Sequence, residues 1–128
     1  MRGAAVSGDG RSGVVETAGG RRRLVIKDQQ VEDVDYSDQK VDYVAVTAPR
    51  LRRCRFERLR LVEAALSGGG VVSEYVDCSF DGSHFTIVFP GSARFIRCRF
   101  REVRINEWFG DQAELIDCVF TGVIEKAV

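Results

Sequence analysis

Ala93-Arg94-Phe95-Ile96-Arg97-Cys98-Arg99-Phe100-Arg101-Glu102-Val103-Arg104-Ile105 is the stretch whose reading decides the fold. Its apolar residues come in pairs two apart: Ala93 with Phe95, Cys98 with Phe100 and Val103 with Ile105. Each pair begins five residues after the last. Trp108 and Gly110 hold the same phase, and Ala113 with Leu115 restarts it after twenty residues. Neither the 3.6-residue period of a helix nor the simple alternation of a strand generates pairs every five residues. A coil with four five-residue sides does, because the two marked positions of each side point inward while the other three meet a corner or solvent.

Working outward, the cysteines carry the long period. Cys54, Cys78, Cys98 and Cys118 each open a Cys-x-Phe triplet, and their separations are 24, 20 and 20 residues. The first interval is longer by four and contains Ser67-Gly68-Gly69-Gly70, a flexible insertion that a loop absorbs without disturbing its flanks. Toward the amino terminus the phase runs through Pro49 and Leu51, Val44 and Val46, Gln39 and Val41, Val34 and Tyr36, and reaches Leu24 and Ile26. Twenty residues therefore make one turn of an all-β solenoid, whose coils stack about 4.8 Å apart through parallel ladders. Residues 24–128 give roughly five coils in one domain. Residues 1–23, rich in Gly, Ser and Arg, read as a flexible tail.

The Cys-x-Phe units and their neighbours, such as Ala93 to Phe100 and Ala113 to Phe120, resemble the pentapeptide-repeat family. The resemblance implies a right-handed quadrilateral β-helix with Leu or Phe at the centre of each five and a small residue two before it. Phe56, Phe80, Phe100, Phe120, Phe95, Leu115, Leu51 and Leu61 match the centre. The four cysteines, Ala93, Ala113, Ser73 and Ser83 match the small site. Leu59, Val88, Val103 and Trp108 are large where a small residue is usual, and Pro90 and Gly110 replace an apolar centre, so distortion is expected on the fourth side. Some members of the family imitate duplex DNA and bind DNA gyrase. Asp28, Glu32, Asp35, Asp38 and Asp42 on the first coil are the residues such a role would use here.

The chemistry-bearing residues are explained by the coil. Zinc sites draw on close cysteine pairs, which are missing, so the four thiols read as small apolar core residues, with no metal or cofactor expected. Tyr36, Phe56, Phe80, Phe100 and Phe120 fall in one inward column and read as stacked rings. His84 lies beside Ser83 and near Asp81, but all three share one side of one coil, which supplies no second catalytic group, so no enzyme is expected.

Charge follows the same register. The chain has 19 basic and 19 acidic residues, a net charge of zero that argues against nucleic acid held by bulk electrostatics. One column reads Asp33, Arg53, Asp77, Arg97, Asp117 and another Arg50, Glu74, Arg94, Glu114, both alternating in sign where opposite charges attract. The column Asp35, Arg55, Ser79, Arg99, Val119 and the column Lys40, Arg60, His84, Arg104, Ile124 are less compensated. Arg55, Arg60, Arg99 and Arg104 are thus the cations expected to meet a partner. No apolar run is long enough to span a bilayer and no secretory leader is evident, so a cytoplasmic protein is expected. Glu125 at an inward position of the last coil suggests pairing with a second copy there, or a longer solenoid. The expected function is a non-catalytic scaffold that recognises a protein partner through charged faces, with topoisomerase modulation as the alternative.

Overall fold

The computed structural model describes residues 14–27, 29–67, 72–89, 92–105, 113–122 and 124–125. A hairpin opens the fold, β1 (Val14–Ala18) with β2 (Arg21–Ile26), followed by β3 (Gln30–Glu32) and β4 (Tyr43–Val46). The next turn carries β5 (Arg50–Arg52) and β6 (Arg60–Ala65), and the one after it β7 (Glu74–Val76) and β8 (His84–Phe89). Then come β9 (Arg94–Ile96), β10 (Arg99–Arg101) and β11 (Arg104–Ile105), and finally β12 (Glu114–Ile116), β13 (Val119–Thr121) and β14 (Ile124–Glu125). No helix occurs among the described residues.

The strands stack into a parallel β-solenoid of about four turns, about twenty residues apart. One face is a long sheet in the order β1-β2-β4-β6-β8-β11-β14, and a second is β3-β5-β7-β9-β12. A third is built from single bridges, Asp35 to Arg55 to Ser79 to Arg99, and from β10 beside β13. The register is the one the sequence period dictates: Gln30 meets Arg50, Glu74, Arg94 and Glu114 in succession. The four extra residues lie between β6 and β7, and pairing resumes unshifted beyond them, with Arg60 opposite His84.

Two corners recur in every turn. Asp33, Arg53, Asp77, Arg97 and Asp117 all have φ between 51° and 58°, and Asp38, Arg58, Gly82, Glu102 and Gly122 in the second corner column have φ between 55° and 73°. A non-glycine residue in this left-handed region costs about 1–2 kcal/mol. The cost is offset by continuity, because each corner N–H still donates to the next coil: Asp33 to the Arg52 carbonyl, Arg53 to Val76, Asp77 to Ile96 and Arg97 to Ile116. The second corner repeats this from Asp38, Arg58, Gly82 and Glu102. The ladder therefore turns the corner without leaving a backbone donor orphaned.

The interior is filled by columns. Tyr36, Phe56, Phe80, Phe100 and Phe120 stack with centroids 5.1, 5.1, 4.9 and 4.8 Å apart, as the inward phase predicts. Tyr75 and Phe95 form a second stack at 4.9 Å and meet the first edge-on. The Tyr75 hydroxyl, fully buried, donates to the Leu66 carbonyl at 2.6 Å. Cys54, Cys78 and Cys98 are buried and Cys118 partly so, all as free thiols. Each thiol donates to a carbonyl of the preceding coil, as in Cys98 Sγ to Tyr75 O at 3.3 Å. The flanking Cys54 and Cys98 thiols, together with burial, push the Cys78 thiol far above its usual value, so it stays protonated.

Three expectations change. Residues 14–23 are not a tail: β1 and β2 form an antiparallel hairpin closed by Gly19-Gly20, whose φ values of 59° and 78° make the primed turn that matches strand twist. Ala48, not Pro49, enters the core between Val46 and Leu51. Leu59 and Val103 are fully buried despite their size, while Val88, Pro90, Trp108 and Gly110, where distortion was expected, have no described side chains.

Candidate partner-binding surface

The corner columns fix the charges. Arg53 grips Asp33 with two hydrogen bonds of 2.7 and 2.9 Å, Arg58 grips Asp38 with two of 2.8 Å, and Arg97 grips Asp77 at 2.9 and 3.1 Å. These forks match the planar guanidinium to a carboxylate one coil away. Each Arg holds its partner's carboxyl below the ordinary value of 3.8. On the second sheet Arg94 bridges Glu74 at 2.9 Å and Glu114 at 2.7 Å, and Arg50 reaches Glu74 at 3.3 Å.

Glu57 is the centre of a cluster that the sequence reading missed. Its side chain is only 6% exposed, yet it accepts from Arg55 at 2.9 Å and Arg58 at 3.3 Å and takes a short hydrogen bond from the Ser79 hydroxyl. Arg99 stands 3.6 Å away. The Arg55 hydrogen bond, aided by Ser79, holds the Glu57 carboxyl below 4.5 against the cost of burial. Arg55 also reaches Asp35 at 3.5 Å, and Arg99 donates to Asp81 at 2.8 Å. Arg55 and Arg99 are therefore fully paired, contrary to the expectation of a less compensated column. The reason is geometric: besides Asp35, directly next to Arg55 in the column, the carboxylates stand beside it, with Glu57 two residues along the coil from Arg55 and Glu57 and Asp81 diagonal to Arg99.

The acidic residues of the first coil are engaged too. Glu32 lies 3.4 Å from Arg53 and 4.0 Å from Arg52. Asp35 accepts the Ser37 N–H at 2.9 Å besides meeting Arg55, and Asp42 accepts the Arg22 N–H at 3.1 Å. Asp28 lies outside the described residues. The arginines of the second coil thus close the acids of the first.

One charged column differs. Lys40, Arg60, His84 and Arg104 project from successive coils of the long sheet, with Arg60 and Arg104 each directly opposite His84. None of the four has an ion pair among the described residues. Lys40, Arg60 and Arg104 are exposed and His84 is half-buried. Burial, then Arg60 and Arg104, push the His84 pKa below 6.5, so the imidazole is neutral at pH 7. At the Lys40 end the column borders an open cleft of about 450 Å³ lined by Arg22, Asp42 and the paired Asp38 and Arg58.

The neighbours of His84 diverge from it. Ser83 is buried, donating to the Phe56 carbonyl at 2.6 Å and accepting the Leu59 N–H at 3.1 Å, while Asp81 serves Arg99 and the Arg101 N–H. No group of His, Cys, Asp and Glu suited to a metal ion occurs among the described residues. A signal for Glu57 was present in the sequence as the lone acid inside the run from Arg50 to Arg60. No family model matches the chain, and neither a curated protein nor a solved structure is significantly similar to it.

Proposed function

We propose that this chain is a non-catalytic binding or scaffold protein of the pentapeptide-repeat kind, a right-handed quadrilateral β-helix that docks a protein partner on its long-sheet face. The observation that carries the reading is the cationic column. Arg53, Arg55, Arg58, Arg94, Arg97 and Arg99 are each matched to carboxylates, whereas Lys40, Arg60 and Arg104, aligned in one column, keep their charge open to solvent. Lys40 and Arg60, about 4.8 Å apart, and Arg104, two coil steps beyond Arg60, repel one another, a cost to the free protein that a complementary partner removes. The stacked core and continuous backbone ladder hold the backbone beneath the row, so the ordering cost of docking on this side is confined to the side chains.

The test is affinity capture with crosslinking from cells that make the protein, using the wild type, a Lys40→Glu, Arg60→Glu, Arg104→Glu triple variant, and an Asp77→Arg, Arg97→Asp control with its corner pair exchanged. The expected result is a defined partner retained by wild type and control and lost by the triple variant. A partner retained equally by all three would overturn the assignment of the face.

A further inference from the structure

The outward positions of the long sheet are not uniformly charged. Arg60 and Val62 both project from β6, and the next column along the strands reads Asp42, Val62, Thr86, with Val62 48% exposed. Beyond Asp42 this column sets an apolar and a neutral side chain, Val62 and Thr86, beside the cations. On the other flank the corner column offers the closed Asp38 and Arg58 pair, then Gly82, then Glu102. The face is a single cationic row bordered by carboxylates at Asp38, Asp42 and Glu102, with a valine at its middle.

Resting on the reading above that this face is a docking surface, we infer that its occupant is an extended acidic segment of a protein, with carboxylates at alternate residues and apolar side chains between them. The spacing fits. With His84 holding the third coil, Lys40, Arg60 and Arg104 stand at about 0, 5 and 14 Å along the axis, and three carboxylates on one side of an extended strand stand at about 0, 7 and 13 Å, a mismatch of about 2 Å at most. The long Lys and Arg stems absorb the difference. A strand lying along the solenoid axis would set its carboxylates on Lys40, Arg60 and Arg104, and turn an intervening apolar side chain onto Val62.

A nucleic-acid strand fits less well. Its affinity comes from phosphates neutralised over a broad basic surface, whereas the cations here form a single row. Single-strand binding also needs aromatic platforms, whereas the exposed neighbours of the row are Val62 and Thr86.

The test uses the whole chain and a short fluorescein-labelled peptide alternating Glu and Val, with single-stranded oligothymidylate of equal charge as comparison, read by fluorescence anisotropy at low ionic strength. The peptide is expected to bind, to weaken at least about tenfold in the Arg60→Gln, Arg104→Gln variant, and to bind more tightly than both the oligonucleotide and a peptide of the same composition with its glutamates contiguous. Lys40→Gln alone, outside the strands, supplies the same comparison should the double variant not fold. Oligonucleotide binding as tight as the peptide's and equally dependent on Arg60 and Arg104 would overturn the peptide inference while leaving a docking face in place. Peptide binding that ignores these residues, or no peptide binding, would also overturn it, and the capture experiment then decides separately whether the face docks anything.

Discussion

Replacing Phe80 by Ala tests the interior most directly. Phe80 is 2% exposed, stacks on Phe56 at 5.1 Å and on Phe100 at 4.9 Å with nearly parallel planes, and meets Tyr75 and Phe95 at 5.9 Å. Truncating a buried Phe costs about 3–5 kcal/mol, because the transfer free energy is lost and a cavity remains. Each aromatic pair accounts for about 0.5–1.5 kcal/mol of this beyond area. The coils above and below are held by their own ladders and cannot close the gap. Phe120 provides the internal comparison: it has the same residue type in the same column, but it is 36% exposed. With a third of the ring already in water, Phe120→Ala should cost about 1–2 kcal/mol. Urea unfolding read by circular dichroism gives both values, with an unchanged slope confirming that the same surface unfolds. Domains of this size hold only about 5–15 kcal/mol, so the Phe80 variant should lose a large share of its stability. Equal costs at the two sites, or a Phe80→Ala cost below about 1 kcal/mol, would refute the account of the rings as a continuous packed column.

Three further outcomes follow from the corners and the charge cluster. Arg97→Glu sets a carboxylate beside Asp77 and should lower the melting temperature, while adding Asp77→Arg should restore most of the loss; thermal melts of the single and double variants check this. Gly82→Ala should destabilise by about 1 kcal/mol in urea unfolding, because its φ of 73° strains any side chain and the new Cβ meets Arg58 Cγ at 3.4 Å. For Glu57, the folded carboxyl lies below 4.5, so its contribution is complete above that pH and lost as pH falls through the lower folded value. Glu57→Gln should remove this part of the acid destabilisation, which a series of melts between about pH 6 and pH 3 would show as a shallower decline.

The sequence period made the coil, the Cys-x-Phe column, the stacked rings and the alternating charge columns legible, because each depends only on which residues lie twenty apart. Features outside the columns were harder to read. Glu57 binds Arg55 along its own coil and Arg99 obliquely, so counting charges above and below leaves Arg99 falsely open and credits Arg55 with Asp35 alone. The hairpin carried its own signal, a Gly-Gly between Val14 to Ala18 and Arg21 to Ile26, yet the Gly, Ser and Arg composition around it reads equally as a tail. Ala48 displaced Pro49 because a strict period of five does not foresee a one-residue slide between β4 and β5. The unpaired column was visible as Lys40, Arg60, His84 and Arg104; only the side-chain pairing elsewhere separated it from the column of Arg55 and Arg99.

The β1–β2 hairpin also bears on the order in which the molecule forms. It is closed by two residues, whereas every coil-to-coil pairing must first bring together positions twenty or more apart. Since each doubling of loop length costs about 0.6 kcal/mol, starting at the hairpin is favoured by about 2 kcal/mol in closure entropy over starting between two coils. The edge of β2 then presents a fixed template to Tyr43–Val46, and each added coil creates the next. The chain accordingly has a built-in amino-to-carboxyl direction of assembly, the direction in which a ribosome delivers it.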